Sequence, residues 1–361
     1  MKCKEIITAI ENIAPPFLKE SWDHTGLMIG NQMQEIHKVL FAVDLNPEIV
    51  EEAILQQYTM IVTHHPFFFD PIHAIDASTW QGKMIYRMIQ HEICLYSCHT
   101  NYDQAEVGIS EAMATLLQLR NQKKLMPVDL SDYKLVFYVP AQQKQKVVEH
   151  LVKIGARTYR SRTEYVQSSQ AEDFGFSIKE ITRPAFVFQE DVSRVELYLP
   201  QSGWQFIVEE LKRIHPHQEI VYDVYESKDV ARHLGLGTIG FLPENLPLGQ
   251  LAHNIKNLLQ LPFVHVTGDP DKMISVVAVC GGSGKSLVDQ SASSGAHVLI
   301  TGDIDYHTAL NAEEKGISLI DATHFATEKP GMQMLCQTIG QTLNMTCDFS
   351  KKSKDVFRII E

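Results

Sequence analysis

Sulfur chemistry is scarce in this sequence. Six cysteines (Cys3, Cys94, Cys98, Cys280, Cys336 and Cys347) are scattered over 361 residues, and no two form a C-x-x-C pair. That argues against a disulfide framework and against a thiolate zinc site, and it fits a reducing compartment. Basic charge is also short: 32 Lys and Arg stand against 44 Asp and Glu, for a formal net charge of −12. A protein that coats DNA or RNA needs a basic face, so nucleic acid is not an expected partner. No apolar run approaches the ~20 residues of a membrane span, so no membrane association is expected. The opening residues, MKCKEIITAIENIAPP, are too polar for a secretory signal peptide, which points to the cytoplasm. The remainder is ordinary for a globular chain, with 44% hydrophobic and 21% charged residues. Its length allows two or three domains at about 150 residues each.

The stretch 60–69, MIVTHHPFFF, carries the densest chemistry. Met60, Ile61 and Val62 suit a buried strand. Neighbouring strand residues point to opposite faces, so His64 and His65 serve one site only where the chain leaves the sheet. Pro66 favours that exit by holding His65 extended. Neutral imidazole is a ligand for zinc, iron and nickel. Taken alone, an adjacent pair of histidines is as readily two unrelated loop residues, and the rest of the chain decides between the readings.

Residues 4–13 carry Ile6, Ile7, Ile10 and Ile13 at helical spacing, stopped by Pro15-Pro16. A polar turn at 22–30 (WDHTGLMIG) precedes a strand at 38–44 (KVLFAVD). Asn46 as N-cap and Pro47 at the first helical position open a helix. The strand into His64-His65 follows, then a helix through Met84, Ile85, Met88 and Ile89. A strand over 93–98 leads into His99-Thr100-Asn101-Tyr102-Asp103. The last third repeats the plan. A strand at 273–280 meets a glycine turn at 281–284 and a helix through Leu287, Val288 and Ala292. A strand at 297–301 ends in Gly302-Asp303, a helix covers 306–314, and a strand at 318–321 leads to His324 and Glu328. This is a parallel α/β pattern, and two βαβαβ halves are expected to form one core domain, 1–128 with 231–361. Ligands bind at the carboxyl ends of strands in such sheets. His64, His65 and Asp103 gather there in the first half, and Asp303, His324 and Glu328 in the second.

Residues 129–230 read differently. Strands at 134–139 and 194–199 are each followed by a helix, the first closing at Gly155. A polar stretch (QSSQAEDFGF) separates the two units, and a further strand covers 220–225. The pattern predicts an inserted α+β domain of ferredoxin-like type. His215 and His217 flank Pro216 there, and a structural or rim role suits them better than metal binding.

Each candidate for chemistry is weak alone. His324-x-x-x-Glu328 puts both side chains on one face if the segment is helical, but alone it reads better as a solvated polar turn. Asp103 could be an ordinary turn residue. Together His64, His65, Asp103, His324 and Glu328 make five ligands at strand ends. That exceeds a closed four-coordinate site and fits two divalent cations (zinc, iron or manganese) with open positions for hydrolytic chemistry. Either Glu328 or Asp103 is a candidate bridge between the ions. His99 and His307 lie in the right loops to shuttle a proton. The run Gly281-Gly282-Ser283-Gly284-Lys285-Ser286 is not a nucleotide-binding P-loop, because Val279 stands where the pattern needs its first glycine. It reads instead as a tight turn lining the same cleft.

The blocks WDHTGLMIG, VTHHPFFF, CHTNYD, CGGSGKS, ITGDIDYHTAL and DATHFATE resemble, in this order, the motifs of the NIF-three-like family, whose bacterial members are named GTP cyclohydrolase 1 type 2 homologues. The likeness spans nearly the whole chain, and the 129–230 segment resembles the longer bacterial form. It implies a two-ion site on the same five residues, a toroidal homohexamer, and an inserted domain of PII/CutA-like fold. Two positions depart from the family pattern: His24 stands for the usual Asn and Thr323 for the usual Gly. The first bears on the groups around the ligands, the second on the tightness of the turn into His324. The function so implied is metal-dependent hydrolysis of a nucleotide-like heterocycle, with GTP as the implied substrate. The alternative is a non-catalytic hexameric regulator that binds an effector through its PII-like domain.

Overall fold

The computed structural model describes residues 1–129, 132–156, 192–199, 203–217, 219–227, 230–358 and 360. By its internal packing the chain divides into two compact units, Met1–Val128 with Arg232–Glu361, and Asp129–Ala231. The first unit begins with helix α1 (Cys3–Ile13), which buries Cys3, Ile6, Ile7 and Ile10. Strands β1 (Gly26–Ile29) and β2 (Lys38–Ala42) follow. In α2 (Pro47–Leu55) the Asn46 side chain accepts from the Ile49 amide at 2.9 Å, the N-cap expected from the sequence. Then come β3 (Met60–Thr63), α3 (Trp80–Gln90) and β4 (Cys94–Ser97). The segment after His99 is a single helical turn, α4 (Thr100–Asp103), ahead of α5 (Ile109–Leu116) and β5 (Arg120–Asp129).

In the second unit β6 (Asp132–Pro140) lies between β7 (Val192–Leu199) and β8 (Tyr222–Ser227), antiparallel to both. Helices α6 (Lys144–Lys153) and α7 (Trp204–Ile214) bury Val147, Leu151, Ile207 and Leu211 against Leu135, Phe137 and Leu197 of that sheet. The polar stretch QSSQAEDFGF, at 167–176, lies outside the described residues.

The first unit resumes with β9 (Val230–Pro247), α8 (Leu248–Leu258), β10 (His265–Thr267) and β11 (Met273–Ser283). Helix α9 (Val288–Ser293), β12 (Val298–Gly302), α10 (Tyr306–Glu314), β13 (Ser318–Asp321), α11 (His324–Leu343) and β14 (Thr346–Phe349) complete it. Two details differ from the sequence expectation. The glycine turn at 281–284 is in part strand: β11 runs on through Ser283, its register against β12 breaking between Val279 and Ser283. The His324–Glu328 segment is no solvated turn but the first turn of a 20-residue helix.

The first unit contains two sheets, ordered β1-β4-β3-β2-β14 and β10-β13-β12-β11-β9-β5. The runs β2-β3-β4 and β11-β12-β13 are parallel, as the repeated strand–helix pattern requires. Each sheet is covered on both faces, which is why its strands read as unbroken apolar runs. In the first, Val39, Phe41 and Val62 pack toward α1 and α11, while Leu40, Ala42 and Ile61 pack toward α2 and α3. In the second, Val277, Val279 and Ile300 face α5 and α8, while Ala278, Leu299 and Leu319 face α9 and α10. Helix α11 packs on α5, α1, β2 and β11, and so joins the sheets. The approach is close: a Cβ on Gly331 of α11 would lie 2.6 Å from Ile109 Cδ1 and 2.8 Å from Ile109 Cα. Only glycine admits α5 so near.

Candidate metal centre

The carboxyl ends of the central strands of both sheets meet in one place. His64 and His65 follow β3 directly, His99 follows β4, and Asp303 follows β12. His324 and Glu328 lie one turn apart on α11, whose entry is set by Thr323. The Thr323 amide donates to Asp321 Oδ1 at 2.9 Å. Thr323 adopts φ 64°, ψ 151°, a conformation reserved almost wholly for glycine.

All four imidazoles near this point are oriented alike. His64 Nδ1 donates to the Cys98 carbonyl at 2.9 Å, and His65 Nδ1 to Asp44 Oδ1 at 2.7 Å. His324 Nδ1 donates to Asp303 Oδ2 at 2.7 Å, and His99 Nδ1 to Asp23 Oδ1 at 3.0 Å. Each bond fixes the tautomer that leaves Nε2 free to act as a ligand. Carboxylates and carbonyls hold metal-ligating histidines in this way.

The Nε2 atoms converge on Glu328. Its Oε1 lies 2.9 Å from His324 Nε2 and 3.6 Å from His64 Nε2, and its Oε2 lies 3.3 Å from His65 Nε2. His65 and His324 place their Nε2 atoms 3.3 Å apart. Asp103 Oδ1 lies 3.5 Å from His64 Nε2. Ligands bound about 2.0–2.1 Å from one tetrahedral ion stand about 3.4 Å from each other, so these spacings suit a shared cation. Two trios of donor atoms are close enough for one ion each, His64/His65/His99 and His65/His324/Glu328. Among the described residues, His64 Nε2 and Glu328 Oε2 are buried atoms with no hydrogen-bond partner. Such orphans are costly unless something meets them.

The electrostatics agree. Burial opposes charge on His64, yet the Asp103 and Glu328 carboxylates hold its pKa above the ordinary histidine value. Burial likewise opposes charge on His65 and His324, but hydrogen bonds to carboxylates raise them to about 10 and about 9. Burial would raise Glu328, and the surrounding imidazoles pull it well below the usual range instead. At Asp103 burial dominates and pushes the carboxyl up. The cluster is a place for positive charge, whether protons or a cation supply it.

The structure thus gathers His64, His65, Asp103, His324 and Glu328, and brings His99 in beside them. The His99 ring centre is 5.2 Å from that of His64 and 5.4 Å from that of His65. His307 is elsewhere: it is exposed on α10 beside Tyr306, and it joins neither donor trio among the described residues. His215 bonds the Tyr138 carbonyl at 2.8 Å in the second unit. Three contributors escaped the sequence reading. Asp44 and Asp23 orient imidazoles. Buried Asp23 accepts from His24 N, Thr100 N and the Thr100 hydroxyl as well as from His99; burial opposes its charge, but the bonds from His99 and Thr100 hold its pKa at about 2. Gly282 is the third, since a Cβ there would lie 3.2 Å from His324 Nε2 and collide with Glu328 Oε1. Its place in a glycine block after a strand was the available signal.

Known proteins share this chain's sequence and fold. The profile of the family described as Duf34/NIF3 (NGG1p interacting factor 3) matches residues 1–355. A Listeria innocua protein named GTP cyclohydrolase 1 type 2 homolog is 32% identical over 328 residues, 89% of this chain and 87% of that protein. A Bacillus cereus protein related to NIF3 is similar in structure at TM-score 0.71 and 30% identity, over 100% of this chain and 99% of that one. A Staphylococcus aureus protein is similar at TM-score 0.75 and 30% identity, with the same coverage. The chain belongs to the Duf34/NIF3 family.

Proposed function

We propose that this protein holds two divalent cations in the cluster and uses them to hydrolyse a nucleotide-like heterocycle. One observation carries the reading: two buried donor atoms, His64 Nε2 and Glu328 Oε2, lack partners at a point where imidazoles and carboxylates converge. His64, His65, Asp103, His324 and Glu328 would hold the ions. When bound, the ions supply Lewis acidity. The chain does the rest. Glu328 stands among three imidazoles and is the first candidate to bridge, with Asp103 the second. Asp44, Asp303 and the Cys98 carbonyl keep three rings aimed. His99, fixed by Asp23, presents Nε2 to the cluster and is placed to hold or pass a proton there.

The named relatives make GTP the first substrate to try. The wider reading is of a cytoplasmic, toroidal homohexamer whose Asp129–Ala231 unit is a PII/CutA-like insertion. Turnover in a nucleotide panel with metal-replete protein, lost in His64→Ala, supports the hydrolase. Binding of an effector without turnover supports the non-catalytic regulator instead.

A further inference from the structure

A cavity of about 650 Å³ opens beside His65 and His324. Leu261, Pro262, Phe263 and Phe325 give it an apolar wall, and Val356 and Phe357, from the segment after β14, line it as well. Up to Lys354 that segment is tied to α2 and the end of β2. The Ser350 hydroxyl bonds buried Glu52, the Ser353 hydroxyl accepts from the Val43 amide at 3.1 Å, and Lys354 pairs with Glu48 at 3.0 Å. Beyond Lys354 the hydrogen bonding among the described residues is local: the Phe357 amide donates to Asp355 Oδ1 at 2.9 Å, closing a small turn. Val356, Phe357 and Ile360 are 81%, 83% and 95% exposed, more than any other large apolar side chain among the described residues. Apolar residues scattered singly on a surface mean little. These three fall within five positions, and two of them line an apolar cavity.

Burying one such side chain gains about what ordering one or two residues costs. The segment 355–360, DVFRII, is anchored at one end and apolar at four of its six positions. It therefore sits near balance between standing free and lying on the apolar wall. Closures of this kind exclude water from a reacting centre and hold back what is inside. We infer that residues 355–360 are a lid. The structure holds it open, and it closes by turning at Asp355 to lay Phe357 on Phe263 and Phe325, over the opening beside His65 and His324. This rests on the cation cluster proposed above and names what controls access to it.

Two measurements on the whole chain test it. In the first, a chelator strips zinc from the loaded protein. Phe357→Ala should speed the stripping at least about threefold, because losing one buried ring shifts the balance between open and closed by about tenfold or more. Zinc content at saturation should not change. Leu55→Ala, which removes an exposed apolar side chain at the end of α2, should strip at the parent's rate. The second needs no metal. The thiol introduced by Ile360→Cys should react with a disulfide reagent at least about threefold more slowly than the same thiol in Ile360→Cys/Phe357→Ala. The six native cysteines, five of them buried, set a low background. Equal thiol rates overturn the lid, and equal stripping rates overturn its hold on the cluster. A lower solution mass of Phe357→Ala, by light scattering, also overturns it, since the segment would then cover a second copy of the chain. The metal reading fails separately: a chain that takes up no zinc yet shields the thiol through Phe357 keeps the lid and loses the cations.

Discussion

Gly282 and Glu328 share one space. A side chain on Gly282, at φ +63°, would occupy the position of Glu328 Oε1. The glycine block that ends β11 therefore contributes an absence, and that absence lets a carboxylate reach three imidazoles.

Gly282→Ala should damage the cluster without removing any ligand. Metal affinity should fall by about 10–100-fold, as it does when a group supporting the ligands is disturbed. Far-UV circular dichroism should not change. Unaltered metal content after dialysis would show that Glu328 can withdraw and is not a ligand in this pose.

Glu328→Ala should cost at least one ion outright. Two dications left with less negative charge between them repel by several kcal/mol at an effective dielectric of about 20. His324→Ala and His65→Ala should each weaken one ion and spare the other, since a terminal ligand serves one metal. Elemental analysis of the three dialysed variants decides. If Glu328→Ala keeps both ions and His324→Ala loses both, the bridge is wrongly assigned and Asp103 is tested next.

Asp303→Ala and Asp44→Ala leave every proposed ligand in place but free the rings of His324 and His65. Each should weaken metal binding by about 10–100-fold, the usual cost of losing the partner of a ligating histidine. Competition with a chromogenic chelator measures it. Affinity equal to that of the parent would mean that backbone and packing alone aim these rings.

Thr323→Gly should stabilise the protein. The Thr323 conformation costs about 1–3 kcal/mol in a residue with a side chain. Its hydroxyl accepts from Ala326 N only at 3.4 Å, a weak cap to lose. The added freedom of glycine when unfolded offsets up to about 1 kcal/mol. A net gain near 1 kcal/mol should raise Tm by roughly 2–4 °C in a domain of this size, read by thermal denaturation with chelator present. A lower Tm would show that the threonine side chain is worth more than the strain.

Replacing 129–231 with a short linker should leave the first unit folded and able to load metal. Strands β5 and β9, which border the segment, are neighbours in one sheet, so little chain is needed to join them. Soluble protein with bound metal is the expected result. Aggregation or metal loss would show that the boundaries cut through a shared core.

Much of the centre was readable because its ligands follow strands. Met60–Val62 before His64, and the strand ending at Asp321, carry an apolar signal strong enough to locate the strand ends. Helix α11 was harder to read, since Pro330 and Gly331 interrupt its pattern. Gly331 is there for Ile109, more than 200 positions earlier, and no local rule shows that. Asp23 and Asp44 were missed for the same reason. An aspartate in a turn looks like any other until the fold shows which imidazole it holds. Strand β14 was missed because it is only four residues long, alternating in burial at the sheet edge.

That edge strand has a consequence for how the protein is made. β14 pairs with β2, Thr346 against Lys38, so the first sheet is finished by the end of the chain. His65 and His324 are 259 residues apart. At about 5–20 residues per second of synthesis, His65 waits roughly 13–50 s for its partner to be made. Until then the nascent chain carries only one of the two donor trios, His64/His65/His99. The trio that needs His324 and Glu328 is therefore completed last.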